Sequence, residues 1–175
     1  MTTQMIISKL NWRQIIIHLA AAWFFMHAFL TLAYLKDIEV VDIIRREGSE
    51  NALNNSAEYG VTITRILNMA VWGGLGSTVG LFVAFIVSVI ISIRKHWHWI
   101  NSVVVLVVAY LLSWFGLTGW VYLKEVLLTP GTIFRDTIWE FLTNGLLLLA
   151  IGIFLFSWRK VNDFIGGKRV NPTFQ

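Results

Sequence analysis

Long apolar stretches alternate with short charged segments along this chain. The longest uncharged stretch runs from Ile66 to Ile93, has 28 residues and is bracketed by Arg65 and Arg94. An α-helix rises about 1.5 Å per residue and the hydrocarbon core of a bilayer is about 30 Å thick, so this stretch is long enough to cross a membrane. We therefore predict a transmembrane helix over residues 64–93.

Three further stretches are long enough to form membrane helices. Residues 14–35 and 141–158 are uncharged, and residues 96–123 contain no Asp, Glu, Lys or Arg. A cleaved signal peptide is the rival interpretation of the first stretch, but its apolar run exceeds the usual core of roughly 7 to 15 residues. The predicted spans are 12–35, 64–93, 98–124 and 134–159. We expect an all-α integral membrane protein, a single four-transmembrane-helix bundle over residues 1–175.

Residues 36–63 form the only long polar segment. Its beginning carries apolar side chains at helical spacing, at Leu35, Ile38, Val41 and Ile44. Gly48 then provides a stop for a helix that continues the first span, and residues 49–59 predict a turn and a short second helix. We expect this extracytoplasmic loop to fold as a small helical cap, because its apolar positions need a surface to pack on.

Charges are distributed unevenly among the segments between the spans. The amino-terminal segment carries +2, the loop at Arg94 carries +2 and the tail over 160–175 with Arg159 carries +3, whereas the two other loops carry −2 and −1. Cytoplasmic loops are enriched in Lys and Arg. We predict a multi-pass protein of a bacterial inner (plasma) membrane with both termini cytoplasmic. The basic surplus reflects orientation and not binding of nucleic acid.

Small residues recur along the predicted second span. They form a row, the small-residue seam, that comprises Gly73, Gly76, Ser77, Gly80, Ala84, Ser88 and Ser92. Helices in lipid associate by close packing, and small side chains let two backbones approach. The seam therefore predicts a neighbouring helix at near-backbone distance. That helix is either the third span of the same chain, which has small positions of its own, or a helix of another chain.

The residue types needed for catalysis do not form any recognisable constellation. The chain has no cysteine, and no span carries Asp, Glu, Lys or Arg near its centre. His18 and His27 lie nine positions apart, about 180° around one helix, so they cannot share a haem iron. We therefore expect no enzyme activity, no metal and no cofactor.

His27 is the most costly polar residue of the spans. It lies about 12 Å below the outer end of the first span, at about 1.5 Å per residue. The same counting places Ser77 and Ser113 in the same band near the midplane, with Asn144 somewhat higher. We predict that His27 faces the bundle interior and bonds to one of these groups. The resulting midplane polar cluster either fixes helix packing or lines a small cavity for a solute.

Two functions from different classes fit this pattern. The first is a structural or accessory membrane subunit that binds protein or lipid neighbours through small-residue helix seams, with membrane lipids and a protein partner or a homo-oligomer as its contacts. The alternative is an oligomeric channel or small-solute transporter with a polar path near His27. Oligomeric state in mild detergent, together with any copurifying partner, distinguishes the two.

Overall fold

The computed structural model describes residues 10–117 and 129–167. Every regular element in these ranges is a helix, and they contain no strand. The α-helices are α1 (Trp12–Ala33), α2 (Ile38–Glu47), α3 (Ser49–Asn54), α4 (Ile63–Arg94), α5 (Ile100–Trp114), α6 (Thr137–Ser157) and α7 (Arg159–Ile165). Short 3₁₀ helices lie at Tyr34–Asp37 and Thr129–Ile133.

Within residues 10–117 and 129–167, three helical segments are long and apolar enough to cross a membrane. They are Trp12–Glu47 with 36 residues, Ile63–Arg94 with 32 and Thr137–Ser157 with 21. The predicted all-helical architecture with membrane-length helices is confirmed at this level. The apolar helix α5 has only 15 residues, about 22 Å of helix, which is shorter than a hydrocarbon core of about 30 Å.

The carboxyl end of α5 is set by a glycine. Gly116 has a φ of +70°, and its N–H donates to Ser113 O at 3.0 Å while the N–H of Leu117 donates to Leu112 O at 2.9 Å. This pair of bonds is the Schellman motif, in which glycine accepts the left-handed conformation that ends a helix. Of the span predicted over residues 98–124, the described part contains a helix that ends at Trp114, and the part beyond Leu117 lies outside the described residues.

The first long segment bends before it ends. α1 passes through the 3₁₀ helix into α2, and α2 stops at Gly48, which has a φ of +83° and donates its N–H to Ile44 O at 2.8 Å. The helical continuation and its stop at Gly48 agree with the sequence-based prediction. The short helix α3 follows at once.

The chain divides into two compact units. Among the described residues, the first unit contains 10–25, 81–117 and 149–167, and the second unit contains 26–80 and 129–148. The boundaries fall within α1, α4 and α6, so each of these helices contributes to both units.

The second unit has an apolar core where α2 and α3 meet the beginning of α4. Its buried members are Val40, Ile43, Ala52, Val61 and Ile66. Ile44 and Leu53 are partly buried against this core. Ile38 is also half-buried.

Two glycines of α6 each receive a side chain from α1. In the second unit, a Cβ built on Gly145 would lie 2.7 Å from Leu32 Cδ2. In the first unit, a Cβ on Gly152 would lie 2.6 Å from Phe25 Cδ2. A larger residue at either position would collide with the side chain from α1, so these glycines permit the close contact between the two helices.

The short helix α7 is attached to the beginning of α1 within the first unit. Asn11 Nδ2 donates to Ile165 O at 3.0 Å, and Arg13 Nη1 donates to Phe164 O at 3.2 Å. The Arg13 guanidinium also lies 4.7 Å from the centroid of the Phe164 ring. Side chains at and just before the start of α1 thus donate hydrogen bonds to carbonyls of the last turn of α7, where helical acceptors are left over.

Candidate functional site

The first unit encloses a group of polar side chains between α1, α4 and α5. We name it the buried polar cluster, and it consists of Gln14, His18, Ser88, Ser92, Asn101 and Ser102. Each of these residues is at most 1% exposed. Polar groups buried in this way are stable only when they bond to one another, so their pairing decides what the cluster can do.

Two amides form one end of the buried polar cluster. Asn101 Nδ2 donates to Gln14 Oε1 at 3.0 Å and to His98 O at 3.0 Å. Asn101 Oδ1 accepts the backbone N–H of Asn11 at 2.9 Å. Gln14 Nε2 donates to Ser92 Oγ at 2.7 Å. The amides therefore join the beginning of α1 to the ends of α4 and α5 that lie in this unit.

Three hydroxyls continue the network. Ser88 Oγ donates to Ser102 Oγ at 2.7 Å, and Ser92 Oγ donates to Ser88 O at 2.8 Å. The hydroxyls of Ser92 and Ser102 are 3.1 Å apart. Since the Ser92 hydroxyl already donates a hydrogen bond to a carbonyl, Ser102 is the donor of this pair. Each hydroxyl therefore both donates and accepts, and the serines are satisfied within the protein.

His18 completes the buried polar cluster. Its Nδ1 lies 2.7 Å from Ser88 Oγ. Because the Ser88 hydroxyl donates to Ser102, it can only accept from His18, so His18 Nδ1 carries the proton of this hydrogen bond. Its Nε2 is then an unprotonated acceptor, buried and without a hydrogen-bond partner in the described structure. The ring of Phe156 meets the imidazole edge to face with centroids 4.9 Å apart. The imidazole is therefore bonded on one side and packed against an aromatic ring.

Local sequence explains how these groups converge. Gln14 and His18 are four residues apart on α1, and Ser88 and Ser92 are four apart on α4, so each pair lies on one helical face. Asn101 and Ser102 lie in the first turn of α5. Sequence reasoning placed Ser88 and Ser92 in the small-residue seam but missed the amides and His18 as their partners. The available signal was the matched spacing of polar pairs on two helices.

The small-residue seam is packed against α1 at its beginning. A Cβ on Gly76 would lie 2.6 Å from Phe29 O, and one on Gly73 would lie 2.7 Å from Tyr34 Cε1. The neighbour of these two glycines is thus the first helix together with the 3₁₀ helix that follows it. It is neither of the two neighbours that the sequence left open, the third span or a helix of another chain. Gly80 and Ala84 are buried, and Ser77 is half-buried.

The four residues predicted for the midplane polar cluster differ in how deeply they are buried. His27 is buried, at 7% exposed. Asn144 Oδ1 accepts the backbone N–H of Gly131 at 2.9 Å, a bond within the second unit. Ser113 belongs to the first unit and, like Ser77, is half-buried. The joint role of these four residues stays a prediction.

Two arginines of the second unit form ion pairs with acidic side chains. Arg65 contacts Asp37 at 2.6 Å and Glu39 at 2.9 Å. Arg45 contacts Glu140 at 2.6 Å. In the first unit, by contrast, Arg94 and Lys95 form no ion pair with any described residue.

Comparisons with protein families, curated proteins and solved structures find no match to this chain. Its class therefore follows from its own features. Its described part is all-helical, and the three apolar helices of membrane-crossing length found there suggest a membrane protein.

Proposed function

We propose that this chain is a four-span membrane protein whose helical segment after α1 forms an extracytoplasmic cap and whose termini are both cytoplasmic. The distribution of charge between the units supports this orientation. The described part of the first unit carries five basic and one acidic side chain, and that of the second unit carries five basic and eight acidic. A surplus of Lys and Arg marks the cytoplasmic side of a membrane protein.

We further propose that the protein acts as a structural or accessory subunit that binds protein or lipid neighbours. The buried polar cluster supports a packing role, because its amides and hydroxyls bond to other groups of the same chain. Only His18 Nε2 in that cluster lacks a described partner. A network satisfied in this way holds helices together and offers few groups to a passing solute.

The observation that carries the proposal is a second row of small residues on α4, which is open. Ala70, Gly74 and Thr78 are exposed, four residues apart, and a Cβ on Gly74 would meet nothing within 4 Å. Large apolar side chains flank this row, among them Val71 at 57% and Leu75 at 49% exposed. The seam at Gly76 is filled by the chain's own first helix, whereas the row at Gly74 is available to a helix of another chain.

A cysteine introduced at Gly74 tests this proposal. The chain has no cysteine of its own, so Gly74→Cys creates a single thiol on the open row. If the neighbour is a second copy of this chain, mild oxidation in native membranes should join the two introduced thiols in a disulfide-linked homodimer. If the neighbour is a different subunit, a crosslinker that reacts with a thiol and an amine should link the introduced thiol to a lysine of that subunit. A Val79→Cys variant, which is 49% exposed on another face of α4, about 140° around the helix from Gly74, controls for random collisions.

Three results would contradict the accessory role. One is equal crosslinking of the two cysteine variants, and another is a monomer that copurifies with no protein. The third is solute flux through vesicles that contain the purified protein, abolished by His27→Phe, which would favour the channel or transporter.

A further inference from the structure

An open groove of about 390 Å³ lies in the first unit between the end of α4 and the junction of α6 with α7. One wall is the apolar surface of Val87, Ile90 and Ile91 on α4. Arg94 and Lys95 line the groove at the end of the same helix. One end of the groove is therefore apolar and the other is cationic, which matches an amphiphile with a negatively charged head.

The two cations are available to a ligand. Arg94 and Lys95 are exposed, and neither is paired with an acidic group among the described residues. The single acidic residue of the described first unit, Asp163, lies 3.9 Å from Arg159 instead. An anion at this end of the groove would meet two positive charges and no competing carboxylate contact.

The opposite wall adds a buried acceptor that lacks a donor. Asn162 is 8% exposed, and its Nδ2 donates to Phe156 O at 3.3 Å and Ser157 O at 3.4 Å. Its Oδ1 is buried without a hydrogen-bond partner. The Ser157 hydroxyl donates a hydrogen bond to Ile153 O at 2.7 Å, so Ser157 Oγ can only accept a hydrogen bond from a ligand. This wall therefore presents two oxygen acceptors, which suit hydroxyl or ammonium donors.

We propose that the groove binds a phospholipid that has one negative charge and a hydroxyl-bearing headgroup, the chemistry of phosphatidylglycerol. Its phosphate lies against Arg94 and Lys95, and its glycerol hydroxyls donate to Asn162 Oδ1 and Ser157 Oγ. One acyl chain follows the apolar side chains at Val87, Ile90 and Ile91. This inference rests on the proposed membrane orientation, which places the end of α4 at the cytoplasmic headgroup layer.

Three lipids with identical acyl chains separate the parts of this proposal. Phosphatidylglycerol has both the charge and the hydroxyls, phosphatidylmethanol has the charge alone, and phosphatidylcholine has neither a net charge nor a hydroxyl. Each lipid is titrated into the full-length protein in mild detergent, and bound lipid is counted by native mass spectrometry. We expect phosphatidylglycerol to bind most tightly, phosphatidylmethanol less tightly by roughly fivefold and phosphatidylcholine most weakly. Inorganic phosphate should not compete at millimolar concentration, because it lacks the acyl chain.

A charge-matched pair of variants locates the site. Arg94→Gln with Lys95→Gln should weaken phosphatidylglycerol binding by roughly 30-fold, since each basic side chain near an anionic lipid contributes separately. Arg159→Gln with Lys160→Gln removes an adjacent basic pair that does not line the groove, and it should bind like the original protein. If the first variant is unfolded, Lys95→Gln alone and the lipid series on the original protein decide the matter.

The outcomes that overturn the proposal are distinct from those that overturn the membrane orientation. Equal binding of all three lipids, or equal losses in the two variant pairs, removes the groove as a lipid site. Equal binding of the two anionic lipids removes the role of Asn162 and Ser157. If reporters show that the end of α4 faces outside, the proposed orientation fails whatever the lipids do.

Discussion

His18 Nδ1 lies 2.7 Å from Ser88 Oγ and joins α1 to α4 in the interior of the first unit. The Ser88 hydroxyl donates a hydrogen bond to Ser102 Oγ on α5 at 2.7 Å. One serine side chain thus touches groups from two other helices. Hydrogen bonds depend on the orientation of the groups that they join, whereas apolar contacts do not. The bond between His18 and Ser88 therefore helps to fix how the three helices are oriented in the packing.

Removal of the Ser88 hydroxyl should destabilise the fold. Ser88→Ala takes the partner from His18 Nδ1 and one donor from Ser102, and unpaired buried groups cost roughly 1 to 3 kcal/mol. We expect a corresponding loss of unfolding free energy in detergent. Ser157→Ala removes an exposed serine hydroxyl from α6 and should be nearly neutral. In a His18→Phe background the cost of Ser88→Ala should shrink, and an undiminished cost would show that the two side chains are not coupled.

Two neighbouring glycines of α4 should respond in opposite ways to alanine. A Cβ at position 76 would lie 2.6 Å from the backbone carbonyl oxygen of Phe29, so Gly76→Ala must push α1 away and should cost roughly 1 to 3 kcal/mol. Gly74→Ala meets open space and should be neutral or stabilise by up to about 1 kcal/mol through helix propensity. Thermal melting of both variants, purified identically, makes the comparison. Equal melting temperatures would mean that α1 does not approach α4 here.

The turn before α6 should depend on Asn144. Gly131 packs directly against the Asn144 side chain and donates its N–H to Asn144 Oδ1. Asn144→Leu keeps the size of the side chain but leaves this N–H unpaired, so we expect a loss of roughly 1 to 3 kcal/mol. Asn68→Leu, at an exposed position of α4, is the control. Faster amide exchange at Gly131 in the Asn144 variant only would identify the lost bond directly.

The proposed orientation predicts where inserted tags are accessible. A reporter fused after Gln175 should be active on the cytoplasmic side, and one inserted between Gly48 and Tyr59 should be active outside, because the basic segments remain inside. Compartment-specific enzyme reporters measure both in intact cells. Activity of both fusions on the same side would exclude a four-span chain with cytoplasmic termini.

The lengths of the apolar stretches and the stop at Gly48 were predictable because they depend on local sequence. Length alone sets whether a helix can span, and glycine alone adopts a φ of +83° without strain. The end of α5 at Gly116 also depends on local sequence. Glycine is common inside membrane helices, however, so the sequence alone did not show whether this glycine ends the helix or allows another helix to pack closely.

The contacts between helices were harder to predict. The spacing of residues shows which of them share one face of a helix, but it does not show which other helix packs on that face. The seam at Gly73 and Gly76 could equally have received the third span, and only the fold shows that α1 fills it. The sequence analysis considered His18 only together with His27 on the same helix, as a possible pair of haem ligands. Its hydrogen-bonded neighbour Ser88 is 70 residues further along the chain.

The buried polar cluster also sets the register of its helices. A register shift of α4 by one residue combines a rise of about 1.5 Å with a rotation of about 100°. It would carry both Ser88 and Ser92 away from His18 and Gln14 and break both of their hydrogen bonds to α1 together. The first unit is therefore expected to have a single assembled alignment, and the chain should reach it in one cooperative step once α1, α4 and α5 are all inserted.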